Sequence, residues 1–225
     1  MNQIFKKFDN IISLGYNCYV KMYLKSERIN CETHFFDYTG SSVWSIIDLL
    51  NNNFSGISDP ETYKIIKFMD KGPNEYVVLH PTYFIRFKHQ FKKSLSENVI
   101  DHQELSEFIE TMKRRKDRFL NKFTNDESIL FIRYEEDLTD RCYFSENTDT
   151  KSSIITLANI LKNINTNKKI YIISLSFEYD KTEYLREYGV IKIKMKRRID
   201  DWLKATQMIR EALYNERNNI DAFLN

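Results

Sequence analysis

The sequence predicts an α/β protein built on a mostly parallel sheet with helices on both faces. Three observations lead there. The runs 128–133, 169–175 and 190–195 are short, nearly continuous and rich in Ile and Val, the pattern of strands covered on both sides. Helical stretches of ten or more residues, such as 152–163, alternate with them, which favours parallel crossovers. At 225 residues, with 42% hydrophobic and 29% charged, the chain can bury one sizeable core, so residues 1–225 are expected to form a single α/β domain.

Taken in order, Ile11 to Leu14 reads as a buried strand, followed by Gly15 and a helix from about Cys18 to Ser26. His34-Phe35-Phe36-Asp37-Tyr38 reads as a second short strand. A helix then starts near Ser41, with Ser41 or Ser42 as its N-cap, and buries Val43, Trp44, Ile46, Ile47, Leu49 and Leu50. Residues 63–68 and 75–79 are strands split by the turn Lys71-Gly72-Pro73-Asn74, and 83–87 is a third. A long helix from about Ser96 carries Leu105, Phe108, Ile109, Met112, Phe119 and Phe123 on its apolar face. The polar stretch 140–151 reads as an exposed loop. A last helix from about Asp200 presents Trp202, Leu203, Met208, Ile209 and Leu213.

Composition excludes several classes. A net charge of +2 gives no reason to invoke nucleic acid. No apolar run reaches the roughly 18 residues that a membrane span needs, and Met1 to Asp9 lacks the apolar centre of a signal peptide. The expectation is an intracellular, cytoplasmic protein with no membrane partner. Three cysteines without CxxC spacing, and four histidines without ligand spacing, argue against a disulfide framework and a metal site. Neither GxGxxG nor a Walker pattern occurs, so no cofactor is expected.

Ligands of open parallel sheets gather beyond the carboxyl ends of the strands. Gly15, Asn17 and Cys18 follow the first strand there; His89 follows the third of the middle strands. Arg133 ends the strand 128–133, and Glu178 follows 169–175. Cys18 is the leading candidate. In the first turn of a helix a thiol meets free N–H groups and the positive dipole end, which favour the thiolate. The alternative is that Cys18 packs as a small hydrophobe. His89 could serve as its base or be a solvated strand-end histidine. Asp37 could orient that histidine or shape the turn before Ser41. The basic run Lys113-Arg114-Arg115-Lys116 reads as a solvated helix face, and the cluster Lys192 to Arg198 as a second basic patch.

The run Ile12-Ser13-Leu14-Gly15-Tyr16-Asn17-Cys18, followed by Phe36-Asp37-Tyr38, resembles a family of uncharacterised proteins described as papain-like cysteine peptidases. Its later elements are similar to Phe87-Lys88-His89-Gln90-Phe91, to Arg114-Arg115-Lys116-Asp117-Arg118-Phe119 and to Leu130-Phe131-Ile132-Arg133. The likeness spans roughly residues 10–136. It departs at Tyr38, where Trp is usual, at Phe36, which lacks a preceding Pro, and at Gln90, which replaces an acid. The resemblance implies a cysteine hydrolase with Cys18 as nucleophile and His89 as base, and a papain-like α+β fold as the alternative architecture. It fixes no third member, for which position suggests Asp37. Gly15, Asn17, Arg133 and Glu178 are the residues expected to meet a peptide, acyl or glycan substrate. Two other readings stand beside this one: a glycan or nucleotide-sugar transferase or binding domain, and a non-catalytic module.

Overall fold

The structure is a computed structural model that describes residues 2–29, 32–67, 76–87, 89–97, 99–124, 128–135, 150–167, 169–199 and 202–225. After a short helix, α1 (Asn2–Phe5), strand β1 (Asn10–Ser13) runs into a loop and helix α2 (Tyr19–Ser26). Strand β2 (Thr39–Gly40) precedes α3 (Val43–Asn51), whose N-cap is Ser42: its Oγ accepts the Ser45 N–H at 3.0 Å. Then come β3 (Lys64–Lys67), β4 (Tyr76–His80) and β5 (Ile85–Phe87). The turn expected at Lys71 to Asn74 lies outside the described residues.

The single helix expected from Ser96 is two, α4 (Lys92–Glu97) and α5 (His102–Asn121). Asp101 caps α5 by accepting the Glu104 N–H at 2.9 Å, and Glu104 reaches back to the Ser94 N–H and hydroxyl at 2.8 Å. Capping chemistry therefore divides the segment. Strand β6 (Ile129–Glu135), helix α6 (Thr150–Ile164), strands β7 (Ile170–Ser176), β8 (Glu183–Leu185) and β9 (Val190–Lys194), and helices α7 (Trp202–Asn215) and α8 (Arg217–Leu224) complete the order.

Two sheets result. Five strands in the order β1-β6-β7-β9-β8 form a sheet that is parallel except for β8. Helices cover both of its faces. Ile12, Phe131, Ile172 and Val190 join the core under α3, α5 and α6, whereas Ile11, Leu130, Ile173 and Ile191 join the core under α1, α2, α7 and α8. The segment between β1 and β6 builds a separate antiparallel sheet, β2-β5-β4-β3, whose Val78, Ile85 and Phe87 share the first of those cores. The mixed α/β architecture is thus what the alternation predicted, with an antiparallel layer added; a papain-like α+β arrangement is not contradicted.

The strand expected over 34–38 does not form. Side chains there compete for the backbone: Asp37 Oδ2 accepts the His34 N–H at 2.9 Å, and the Thr39 hydroxyl donates to Phe36 O at 2.8 Å. The segment becomes a set of turns, and only Thr39 and Gly40 pair with β5. All six apolar residues expected along 105–123 are buried, but Trp44 and Leu203 are exposed at 39% and 68%. No helix among the described residues is long and apolar enough to cross a membrane.

One feature of the parallel sheet positions the site. On the face toward α3, the row Ile12–Phe131–Ile172–Val190 is apolar. Two residues on, toward the carboxyl ends, the register aligns Arg133, Ser174, Lys192 and Glu183 in one row. Side chains two apart share a face. The sheet therefore changes from apolar to polar within one step.

Candidate active site

Cys18 is the N-cap residue of α2, and its side chain is half-buried. Its sulfur makes no capping bond; Asn17 Oδ1 takes that task by accepting the Tyr19 N–H at 2.9 Å. Ahead of it, Gly15 and Tyr16 both have φ of +68°. At Gly15 a side chain is excluded. A Cβ would lie 2.3 Å from Ser41 Oγ, 3.1 Å from Thr39 Oγ1 and 3.4 Å from Phe36 O. Glycine thus serves twice, in conformation and in close approach. The loop 15–18 is seated directly on the loop 36–41.

Arg133 fastens the two loops. Its guanidinium is wholly buried and donates from Nη1 to Leu14 O at 2.5 Å and from Nη2 to Ser41 O at 2.8 Å. Its Nε faces Glu135 Oε1 at 3.2 Å, and its Cζ stands 5.9 Å from the centre of the Tyr16 ring. One side chain from β6 therefore anchors the carbonyl before the Cys18 turn and the carbonyl after the Tyr38 turn.

Within the second loop Asp37 is fully buried and pairs with Lys21 Nζ of α2 at 3.0 Å. Burial raises its carboxyl above the usual range, and the Lys21 charge and the His34 N–H oppose that rise. His34, 1% exposed, is pushed down to about 4, first by burial and then by the Lys21 charge. Lys21 also donates to Glu32 O, and Arg118 of α5 donates to Thr33 O, so α2 and α5 both grip this loop.

Tyr38 lies at the centre. Its φ is +62°, a conformation that bulky side chains rarely adopt, and one that tends to cluster at functional sites. Its ring meets His89 edge-on, with centroids 6.1 Å apart and planes at 79°. Burial, the Asp37 charge and Cys18 together raise its phenol above the usual range. Tyr38 is thus in ring contact with the exposed His89 and within electrostatic reach of Cys18. Arg115 of α5 completes the surround. It feels the charges of Asp37 and Tyr38, burial lowers its guanidinium, and its buried Nη1 has no hydrogen-bond partner among the described residues.

Residues 9–149 match the family described as "Putative papain-like cysteine peptidase (DUF1796)". That is well over half of the 225 residues. The chain belongs to this family. No curated protein matches it, and no solved structure does. The matched span opens just before β1 and runs past the end of β6, so it holds both loops, His89, Arg115 and Arg133.

Of the residues expected from sequence, Gly15, Asn17, Cys18, Asp37 and Arg133 gather at the carboxyl end of β1 and β6. His89 joins them at Tyr38. Glu178 lies beyond β7, two strands from β1, where its N–H donates to Ser176 Oγ at 3.2 Å. Three contributors escaped the sequence reading. Tyr38 was visible only as a motif position, Lys21 as one helical turn beyond Cys18, and Arg115 as part of a run read as solvated. Among the described residues no group of three His, Cys, Asp or Glu side chains could hold a metal ion.

Proposed function

We propose that this protein is a cysteine-dependent hydrolase or acyl transferase, with Cys18 as nucleophile and His89 as base, acting on a peptide or another acyl substrate. One observation carries the reading: the same ring, Tyr38, packs on His89 and lies within electrostatic reach of Cys18. Membership of a family described as papain-like cysteine peptidases agrees with the class of reaction.

In this reading His89 takes the Cys18 proton, and the sulfur attacks the substrate carbonyl carbon. The S–C bond forms as the carbonyl π pair moves onto oxygen. In this reading backbone N–H groups of the 15–18 turn, at the amino end of α2, donate to that oxygen. The imidazolium then returns its proton to the departing amine or alcohol, and water, deprotonated by His89, releases the acyl group from sulfur. Asp37 contributes by shaping the turn that presents Tyr38, since its carboxylate pairs with Lys21.

The test is peptide-resolved alkylation of the intact chain with iodoacetamide. Cys18 should react near neutral pH well ahead of Cys31 and Cys142, and His89→Ala should slow Cys18 alone. Equal rates at the three thiols would sink the proposal. With a hydrolysable acyl substrate in hand, Cys18→Ala and His89→Ala should each abolish turnover.

A further inference from the structure

The nucleophile–base pair leaves the basic cluster at the end of β9 unused. Its first members are occupied: Lys192 Nζ lies 3.5 Å from Glu183 Oε2, and Lys194 Nζ donates to Asp180 O at 3.0 Å. Lys196 and Arg197 differ. Both are exposed, and neither side chain has a hydrogen bond or ion pair among the described residues. The acids that follow in the chain, Asp200 and Asp201, lie outside the described residues. Two hydrogen bonds fix where the cations stand. The Met195 N–H donates to Ser176 O at the end of β7 at 2.8 Å, and the Ile199 N–H donates to the Tyr134 hydroxyl of β6 at 3.2 Å. With strands in the order β1-β6-β7-β9, the segment 195–199 crosses the carboxyl edge of the sheet from β9 toward β1. Tyr134 continues the path to the thiol's own turn. Its ring meets Tyr16 at 6.2 Å and Tyr19 at 5.7 Å between centroids, and those two residues flank Asn17 and Cys18. Neighbouring strands stand about 5 Å apart, so roughly 5–10 Å across the sheet separates the cations from the strand that delivers Cys18. Extended chain covers that distance in about two or three residues.

We infer that Lys196 and Arg197 form a specificity-determining rim of the Cys18 site, and that the substrate is an acidic peptide with Asp or Glu about two or three residues from the scissile carbonyl. The inference rests on the reading of Cys18 as nucleophile and deepens it by naming the substrate class. Charge complementarity supplies the sign: exposed cations beside a site raise the local concentration of carboxylates and speed their capture. The thiol chemistry supplies the chain. Cys18 attacks a carbonyl carbon, which a peptide offers at every residue and the acetal links of a polysaccharide do not. No bond is made or broken at the rim itself.

The experiment labels the intact chain with two peptides, bromoacetyl-Gly-Glu-Glu-Glu-amide and bromoacetyl-Gly-Gln-Gln-Gln-amide, and reads the Cys18 adduct by mass spectrometry. The ratio of the two rates within one protein cancels the reactivity of the thiol itself. At low ionic strength the acidic peptide should label wild-type Cys18 about tenfold faster. Lys196→Gln with Arg197→Gln should bring the ratio close to unity. If that double variant melts early, each single substitution should lower the ratio about threefold, the square root of the full effect. Iodoacetamide tests the thiol separately: a Cys18 no faster than Cys31 and Cys142 overturns both readings. A fast Cys18 with equal peptide rates, or with a preference that survives the substitutions, overturns the rim and leaves the Cys18–His89 proposal standing. If dextran sulfate protects Cys18 from iodoacetamide at a lower charge concentration than polyglutamate does, the rim serves an anionic glycan and the acidic peptide is overturned.

Discussion

Two polar regions lie side by side at the carboxyl end of the parallel sheet, and they are built on opposite terms. Across the strands, Arg133, Glu135, Ser174, Tyr179, Lys192 and Glu183 form a chain of paired groups. Arg133 pairs with Glu135, Ser174 meets Tyr179 at 2.6 Å, and Lys192 sits 3.5 Å from Glu183 and 4.4 Å from the centre of the Tyr179 ring. Arg133 and Ser174 are completely buried. Beside this chain, the loops 15–18 and 36–41 hold two aromatic residues at positive φ and a half-buried thiol, and the exposed imidazole of His89 meets the Tyr38 ring. Charge that is buried and paired constructs; strain kept next to accessible nucleophilic groups is where chemistry is expected.

The sharpest way to break that contrast is Arg133→Met. It removes two bonds to loop carbonyls and leaves Glu135 buried without its cation, a loss of about 3–5 kcal/mol. Urea unfolding should record it, and the loops should come apart. If stability barely changes, the buried row is not what holds them.

Acid should act on the second loop next. The unfolded chain protonates His34 at about its ordinary 6.5, whereas the folded chain does so only at about 4. The folded form thus binds fewer protons between those values, and its stability falls as pH falls through that window. The decline should be about 1.4 kcal/mol per unit, roughly 3 kcal/mol in all, levelling below the folded value. Chemical unfolding at a series of pH values measures this, and His34→Gln should flatten the slope.

Gly15→Ala tests the seam between the loops. The left-handed backbone and the approach of Ser41 Oγ to 2.3 Å predict a loss on the order of 1–3 kcal/mol. Slower Cys18 alkylation should accompany it, because the turn must shift. At the small end, Arg210→Ala removes a partly exposed pair with Glu27 that links α7 to the end of α2. It should change stability by less than about 1 kcal/mol and leave Cys18 reactivity untouched.

The sequence made β1, β6, β7 and β9 legible because each is an apolar run that no local polar side chain disrupts. It made the Cys18 turn legible for a related reason: a strand that ends in Gly15 before a helix leaves few options. The 34–38 segment was misread because Phe35 and Phe36 look like a strand, while Asp37 and Thr39, each bonding three residues back, decide for turns. The split between α4 and α5 was available in Asp101-x-x-Glu104, a capping pattern. Arg115 could not be told from its neighbours Arg114 and Lys116, since charge runs carry no sign of which member turns inward. The pairing of Arg133 with Leu14 and Ser41 is a long-range fact with no local signature.

That last pairing governs when the site can exist. Arg133 lies 119 residues beyond Leu14, and among the described residues β1 finds its one strand partner in β6. Everything between them, including the whole antiparallel layer, is enclosed by the closure of that contact, a long loop whose ends meet late and slowly. As the chain emerges from the ribosome, the thiol appears 115 residues before Arg133, long before its clamp has been made. Until β6 docks, no single donor holds the carbonyls of Leu14 and Ser41. The Cys18 turn is therefore synthesised well before the contact that fastens it.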